Sequence, residues 1–314
     1  MAAAVSNAGG LGTISALTQG TPDKLRAEIQ KCRALTSKPV AVNFTILPAM
    51  VTPDYHIIVQ AAIDEGVRIV QTAGRSPESV KMPDGRTLIQ MLKEAGLIVI
   101  HKCMSVRHAV TAERVGVDCV SLGGFEYGGH CGEDDVTHWV LQPTAALRLR
   151  VPYLVAGATS VGSQLAAALA MGASGVELGT AFMATKECPI HQGIKDALLS
   201  ADERSTQLIL RSVRNTGRFY KNALTKKVTE AETKTPGDFK VIAPYVTGRR
   251  TFRSLHETGD AEDSCWTCGM AAGMITEIPT CAEFLQRLVG TAEAVIRERL
   301  PQLVVAAAAP AARL

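Results

Sequence analysis

Seven short β-branched apolar runs, separated by longer amphipathic or alanine-rich stretches, do most to limit what this chain can fold into. They fall at 11–14, 40–44, 68–72, 97–101, 119–122, 153–156 and 175–178, each nearly unbroken in hydrophobicity. Strands covered on both faces read this way, whereas a half-solvated strand alternates. Helix candidates lie between them at 53–65, 87–95, 106–115, 139–149 and 161–171, and no long polar linker interrupts the series. Such a β-α repeat with right-handed crossovers suits either an open doubly wound sheet or a TIM (β/α)8 barrel.

Glycine placement decides for the barrel. An open dinucleotide-binding sheet carries its phosphate glycines after the first strand, whereas a barrel commonly holds phosphate with the loops after strands 7 and 8. Here Val155-Ala-Gly-Ala158 ends one run and leads into a helix start at Thr159-Ser-Val-Gly162, and Glu177-Leu-Gly-Thr180 ends the next. Read as strands 7 and 8, these two runs leave the first strand missing. The opening Met1-Ala-Ala-Ala-Val-Ser-Asn-Ala-Gly-Gly10 reads as a helix tail with a glycine cap, which predicts a truncated chain or a mis-assigned start.

The 314 residues divide into a barrel over 1–200, a small helical lid over 201–265, a barrel-closing segment over 266–300 with a helix at 281–300, and a frayed tail over 301–314. With 46% hydrophobic residues a sizeable core is expected, and Lys+Arg 33 against Asp+Glu 30 is too even a balance for a nucleic-acid or lipid-headgroup surface. No apolar run is long enough to span a bilayer and no leader pattern opens the chain, so a cytoplasmic protein acting on a small molecule is expected. The eight scattered cysteines read as mainly reduced thiols.

The segment Ser121-Leu-Gly-Gly-Phe-Glu-Tyr-Gly-Gly-His-Cys-Gly-Glu-Asp-Asp135 carries the most chemical information. It follows a strand, its glycines can lie against a flat ligand, and it delivers His130 to the face where barrel active sites are built, which makes that imidazole the candidate base. Lys102 ends another strand, where an ammonium can stabilise negative charge on a ligand at that face. Cys265-Trp-Thr-Cys268 invites a zinc or thiol-redox reading, but neither a second ligand pair nor a strand-to-helix context accompanies it, and no metal is expected. Cys131, next to His130, reads as a buried inert thiol rather than an activated one.

The run Gly123-Gly-Phe-Glu-Tyr-Gly-Gly-His-Cys-Gly132, the Ala156-Gly-Ala158 strand end and Gly175-Val-Glu-Leu-Gly-Thr-Ala-Phe-Met183 resemble the flavin-dependent nitronate monooxygenase (2-nitropropane dioxygenase) family over almost the whole chain. In Asn43-Phe-Thr-Ile-Leu-Pro48, His101-Lys-Cys103, Gly132-Glu-Asp-Asp135 and Lys186-Glu-Cys-Pro-Ile-His191 the chain is most similar to that family's NADH:quinone reductase branch. The resemblance implies an FMN-containing barrel with a small lid, FMN phosphate held by Gly157, Ala158, Gly179 and Thr180, and a flavin lined by Thr45, Lys102, Gly128 and Gly129. It further implies a substrate side formed by Pro48 and Thr267. Ala158 stands where glycine is usual, so a positive φ there would carry a steric cost. The lost first strand would remove backbone beside the flavin ring.

The expected function is oxidation of alkyl nitronates with O2 to a carbonyl compound and nitrite. The alternative is NAD(P)H:quinone reduction on the same FMN, and a third reading, prompted by the lost strand, is a flavin-less barrel remnant acting as a binding protein. The expected partners are small molecules and O2, with no nucleic acid, no membrane span, and a second copy of the chain in a homo-dimer.

Overall fold

The computed structural model describes residues 1–46 and 53–304. Seven parallel strands, β1 (Gly12–Ser15), β2 (Val40–Ile46), β3 (Ile69–Gly74), β4 (Ile98–Cys103), β5 (Cys119–Gly123), β6 (Tyr153–Ala156) and β7 (Gly175–Glu177), pair strictly in chain order, so every crossover joins neighbours. The sheet is not flat. Strands lie about 4.8 Å apart, which would separate β3 and β7 by roughly 19 Å in a plane, yet Gln71 Nε2 on β3 donates to Glu177 Oε2 on β7 at 2.8 Å. Only a sheet curled around an interior brings those side chains together.

Helix α1 (Ala2–Asn7) precedes the sheet and α2 (Pro22–Leu35) follows β1; the helices that bear out the sequence periodicity are α3 (Tyr55–Asp64), α4 (Leu88–Glu94), α5 (Val106–Arg114), α6 (His138–Ala146) and α7 (Gly162–Ala170). Most begin at a side-chain cap: Asp54 accepts from the Ile57 N–H, Thr87 and Gln90 close a capping box, and Ser105 accepts from the His108 N–H. The periodicity passed over α2, although Thr21 caps it and Pro22 opens it. The expected 139–149 helix starts one residue earlier and stops at Ala146.

Among the described residues β1 and β7 are the two edges of the sheet, and neither pairs with the other. Helix α1 packs beside β1, and α13 (Cys281–Ala294) beside α7. The two meet where Val5, Cys281, Phe284 and Leu288 join Ala181 and Phe182 of α8 (Thr180–Met183) in one buried cluster. Phe182 and Phe284 stack edge to face at 5.2 Å. The sequence placed a helix over 281–300; α13 ends at Ala294 and a wider turn, Val295–Arg299, continues it. Of the expected tail, 301–303 forms one tight helical turn and 305–314 lie outside the described residues.

The excursion that follows α9 (Gln192–Leu199) departs from the all-helical expectation. It begins with an antiparallel hairpin, β8 (Thr206–Ile209) and β9 (Gly217–Tyr220), before α10 (Ala223–Lys234), α11 (Phe239–Ile242) and α12 (Gly248–Arg253). Four-residue strands carrying Thr206, Gln207 and Arg218 offer too little apolar periodicity to stand out. Ile209, Leu210, Phe219, Leu224, Val228, Ile242 and Cys265 give this region a core of its own.

Candidate active site

The interior of the curled sheet is polar at the C-terminal ends of its strands. Thr45 Oγ1 donates to Asn43 Oδ1 at 3.0 Å, Asn43 Nδ2 to Gln71 Oε1 at 2.9 Å, and Gln71 to Glu177, which links β2 and β3 to β7. Lys102 on β4 pairs with Glu177 Oε1 at 2.6 Å, and Ser121 on β5 donates to the other carboxylate oxygen. Side chains from three strands thus converge on the carboxylate of a fourth, with β2 linked through Gln71. Lys102 Nζ also donates to Tyr127 Oη at 3.1 Å, which ties the loop after β5 to the cluster. Burial on its own would lower the Lys102 ammonium's pKa, but the Glu177 carboxylate and the Tyr127 hydroxyl outweigh it and hold the group above its ordinary value. Lys102 is therefore a fixed cation. Beside it His101 is buried against Thr72 Oγ1 at 2.8 Å, and burial pushes its imidazole down to about 4, so it is neutral.

The loop after β6 has the backbone shape the glycines foretold. Gly157 has φ +97° and Ala158 φ +60°, so the alanine occupies the left-handed region at the steric cost expected of it. Gln164 of α7 holds the loop: its Nε2 donates to the Ala158 carbonyl, and its Oε1 accepts from the Ser160 N–H at 2.8 Å and the Val161 N–H at 3.2 Å. A Cβ at Gly179 would meet nothing within 4 Å, so open space lies beside that residue. The Thr180 hydroxyl accepts from the Gly269 N–H at 2.9 Å and keeps its own proton to donate.

The loop from Gly123 to Asp135 is zippered onto the hairpin. Gly129 and Arg218 exchange backbone hydrogen bonds at 3.0 and 2.8 Å, Glu133 accepts from the Thr216 N–H and hydroxyl, and Asp135 takes a two-pronged contact from Arg211 at 2.8 and 3.1 Å. His130 is exposed, and its Nδ1 lies 3.1 Å from the Asn215 carbonyl. A carbonyl only accepts, so Nδ1 carries the proton in the neutral ring and Nε2 presents its lone pair. Gly128 serves packing as well as any ligand: a Cβ there would lie 2.4 Å from the Gly269 nitrogen. Thr267 bridges Phe219 of β9, and Trp266 stacks on Tyr220 at 4.4 Å, so the 265–269 segment forms one wall with the hairpin. Burial raises Cys265 to about 11 and Cys268 to about 12 and raises Cys131 as well, which leaves all three as protonated thiols. Pro48 lies outside the described residues.

Sequence reasoning missed Asn43, Gln71, Ser121, Tyr127 and Glu177 as members of this site. Four of them sit inside apolar strand runs, and a polar side chain there needs a buried partner. That was the available signal. What it lacked was the side-chain register that points Gln71 of β3 and Glu177 of β7 at each other across the interior of the expected barrel.

A curled parallel sheet that gathers a half-buried cation and carboxylate at its strand ends has the arrangement in which barrel enzymes build their sites. The model of the nitronate monooxygenase family matches residues 1–291, and the chain belongs to that family of flavin-dependent oxidoreductases. It is 27% identical to a nitronate monooxygenase of Paraburkholderia phytofirmans over 96% of this chain and 90% of that one. With the (3aS,4S,5R,7aS)-5-hydroxy-7a-methyl-1-oxo-octahydro-1H-indene-4-carboxyl-CoA dehydrogenase of Mycobacterium tuberculosis it shares 28% identity, covering 92% of this chain and 88% of the relative. Among solved structures, FabK from Thermotoga maritima superposes with a TM-score of 0.84 at 31% identity, covering 96% of this chain and 91% of that one.

Proposed function

We propose that this protein binds FMN at the strand ends and oxidises alkyl nitronates with O2 to a carbonyl compound and nitrite. The observation that carries the reading is the half-buried Lys102–Glu177–Tyr127 cluster, tied through Tyr127 to the loop that carries His130. The residues fit the cofactor. Gly157 and Ala158, both at positive φ, turn the backbone as a phosphate cradle requires, Gly179 leaves open space beside it, and the Thr180 hydroxyl keeps a proton to donate. Thr45 and Lys102 share one network that would line the ring, with Gly128 and Gly129 of the loop above.

When bound, FMN supplies an electron acceptor for the nitronate carbon. Lys102, held cationic, offers its remaining N–H to negative charge that develops beside it. His130 Nε2, freed as acceptor by the Nδ1 contact to Asn215, takes the α-proton of a neutral nitroalkane or orients the anion of a preformed nitronate. The wall built from Thr267, Trp266 and β9 screens the substrate from water. In this reading residues 201–265 act as the lid.

The test is an absorbance spectrum of the protein supplied with FMN, followed by anaerobic additions. Bands near roughly 370 and 450 nm that bleach with propyl-2-nitronate and not with NADH are expected; bleaching by NADH alone would favour the NAD(P)H:quinone reductase reading, and no bands at all would sink both. His130→Asn should lower turnover of neutral nitroalkanes by about 100-fold or more while sparing nitronates, and equal loss on both would remove the base role. A second substrate class, a CoA thioester, is favoured by the match to the Mycobacterium tuberculosis dehydrogenase.

A further inference from the structure

Beyond the strand-end site, the excursion holds a cavity of about 510 Å3 at α12, within the range of small-molecule sites. Three guanidinium groups line it, from Arg249, Arg250 and Arg253, together with the ring of Phe252. Two carboxylates, Asp263 and Glu257, also line it, with Thr247 beside them. Asp263 is neutralised by Arg250 at 3.1 Å. Among the described residues neither Arg249 nor Arg253 has a carboxylate within ion-pair distance, Glu257 included, so two guanidinium forks are left for a ligand. Phe252 is 58% exposed, with only the His256 ring tilted against it at 4.7 Å. A large aromatic left open beside free guanidinium groups is a stacking platform for a flat ring.

We propose that this pocket holds the phosphorylated adenosine diphosphate handle common to CoA and NADPH. Arg249 and Arg253 meet its phosphates, for which planar guanidinium forks are matched. The adenine stacks on Phe252. Glu257 accepts from a ribose hydroxyl or the adenine amino group, which explains why an anion site carries a carboxylate. The pocket is anchored to the substrate wall: Thr251 donates to the Cys265 carbonyl at 3.2 Å, and Asp263 precedes Thr267 by four residues, a span of at most about 14 Å. A nucleotide seated here trails its reactive arm toward Thr267. That direction rests on the strand-end site being the reactive one; binding at the pocket does not.

The experiment uses the full chain loaded with FMN and titrates CoA, dephospho-CoA, NADPH and NADH by calorimetry, against wild type and Arg249→Ala/Arg253→Ala. Both arginines are exposed, so melting temperature and flavin content should not move. Expected is binding of CoA or NADPH that weakens by about 10-fold or more in the double variant, and a weaker wild-type affinity for whichever partner lacks the extra phosphate. CoA without NADPH identifies a thioester substrate, NADPH without CoA the electron donor, and either supports the pocket. No binding of either, or equal binding by wild type and variant, overturns it. Flavin bands that still bleach with nitronate in that case leave the strand-end function standing.

Discussion

The strand-end cluster and the loop-to-hairpin zipper both bring charges together, but they do so under opposite conditions. In the cluster, Lys102 and Glu177 are 13% and 25% exposed, sit on strands and are tied into a network across five of them. In the zipper, Arg211 and Asp135 are 44% and 46% exposed and both lie in loops. Water screens the second pair and leaves it little net value, whereas the first becomes costly once one partner is lost. The site therefore combines a networked electrostatic floor with an ion pair at its rim that can be lost at small cost.

Lys102→Ala should have the largest effect, because it leaves Glu177 in the interior without its cation. A loss of about 3–5 kcal/mol in urea unfolding is expected, with flavin binding lost alongside; a loss under about 1 kcal/mol would place the cluster with the surface pairs. Because the folded-state pKa of Lys102 is raised, its contribution is full below the unfolded value near 10.4 and is lost as pH climbs through the folded one, so it should be flat across neutral pH. His101 behaves in the opposite sense. Its folded pKa is depressed to about 4, so stability is full above the unfolded value of about 6.5 and declines as pH falls toward 4, by roughly 3 kcal/mol in all. His101→Gln should flatten that acid limb, and an unchanged limb would assign it to other groups.

The same contrast explains what the sequence disclosed. Each of the seven strands was legible, because an unbroken apolar run such as 153–156 has no other stable use, and Gly157 with Ala158 signalled its turn without any knowledge of neighbours. The meeting of Gln71 with Glu177, 106 residues apart, has no local signature. The hairpin was hidden for a different reason: Arg218 is buried there by donating to the Phe125 carbonyl and covering the Phe125 ring, a solution available only once the loop after β5 is in place. His130 was legible as a loop imidazole, but its tautomer depends on Asn215, which lies 85 residues further on.

In the zipper, Glu133→Ala removes the acceptor of the Thr216 N–H and hydroxyl. Thr216 is 1% exposed, so little water reaches the two donors left without an acceptor, and about 2 kcal/mol is expected. The more telling readout is hydrogen exchange, which should rise at 215–218 while the amides of β3 and β4 stay protected. Equal exchange in both would mean that floor and wall open together.

The smallest effect falls in the loop after β6, at Ala158. Its φ of +60° places the Cβ against its own backbone, a strain of about 1 kcal/mol that glycine does not carry. Glycine in turn gains entropy in the unfolded chain, which offsets part of the relief, so Ala158→Gly should stabilise by about 0.5 kcal/mol at most. The backbone N–H is the same in both residues, so on the proposed reading of this loop FMN affinity should change less than twofold. A melting temperature that falls instead would mean that the Gln164 contacts, not the conformation of residue 158, set the shape of the loop; Gln164→Ala would then loosen it by more than any change at 158, because the Ser160 and Val161 N–H groups lose their acceptor together.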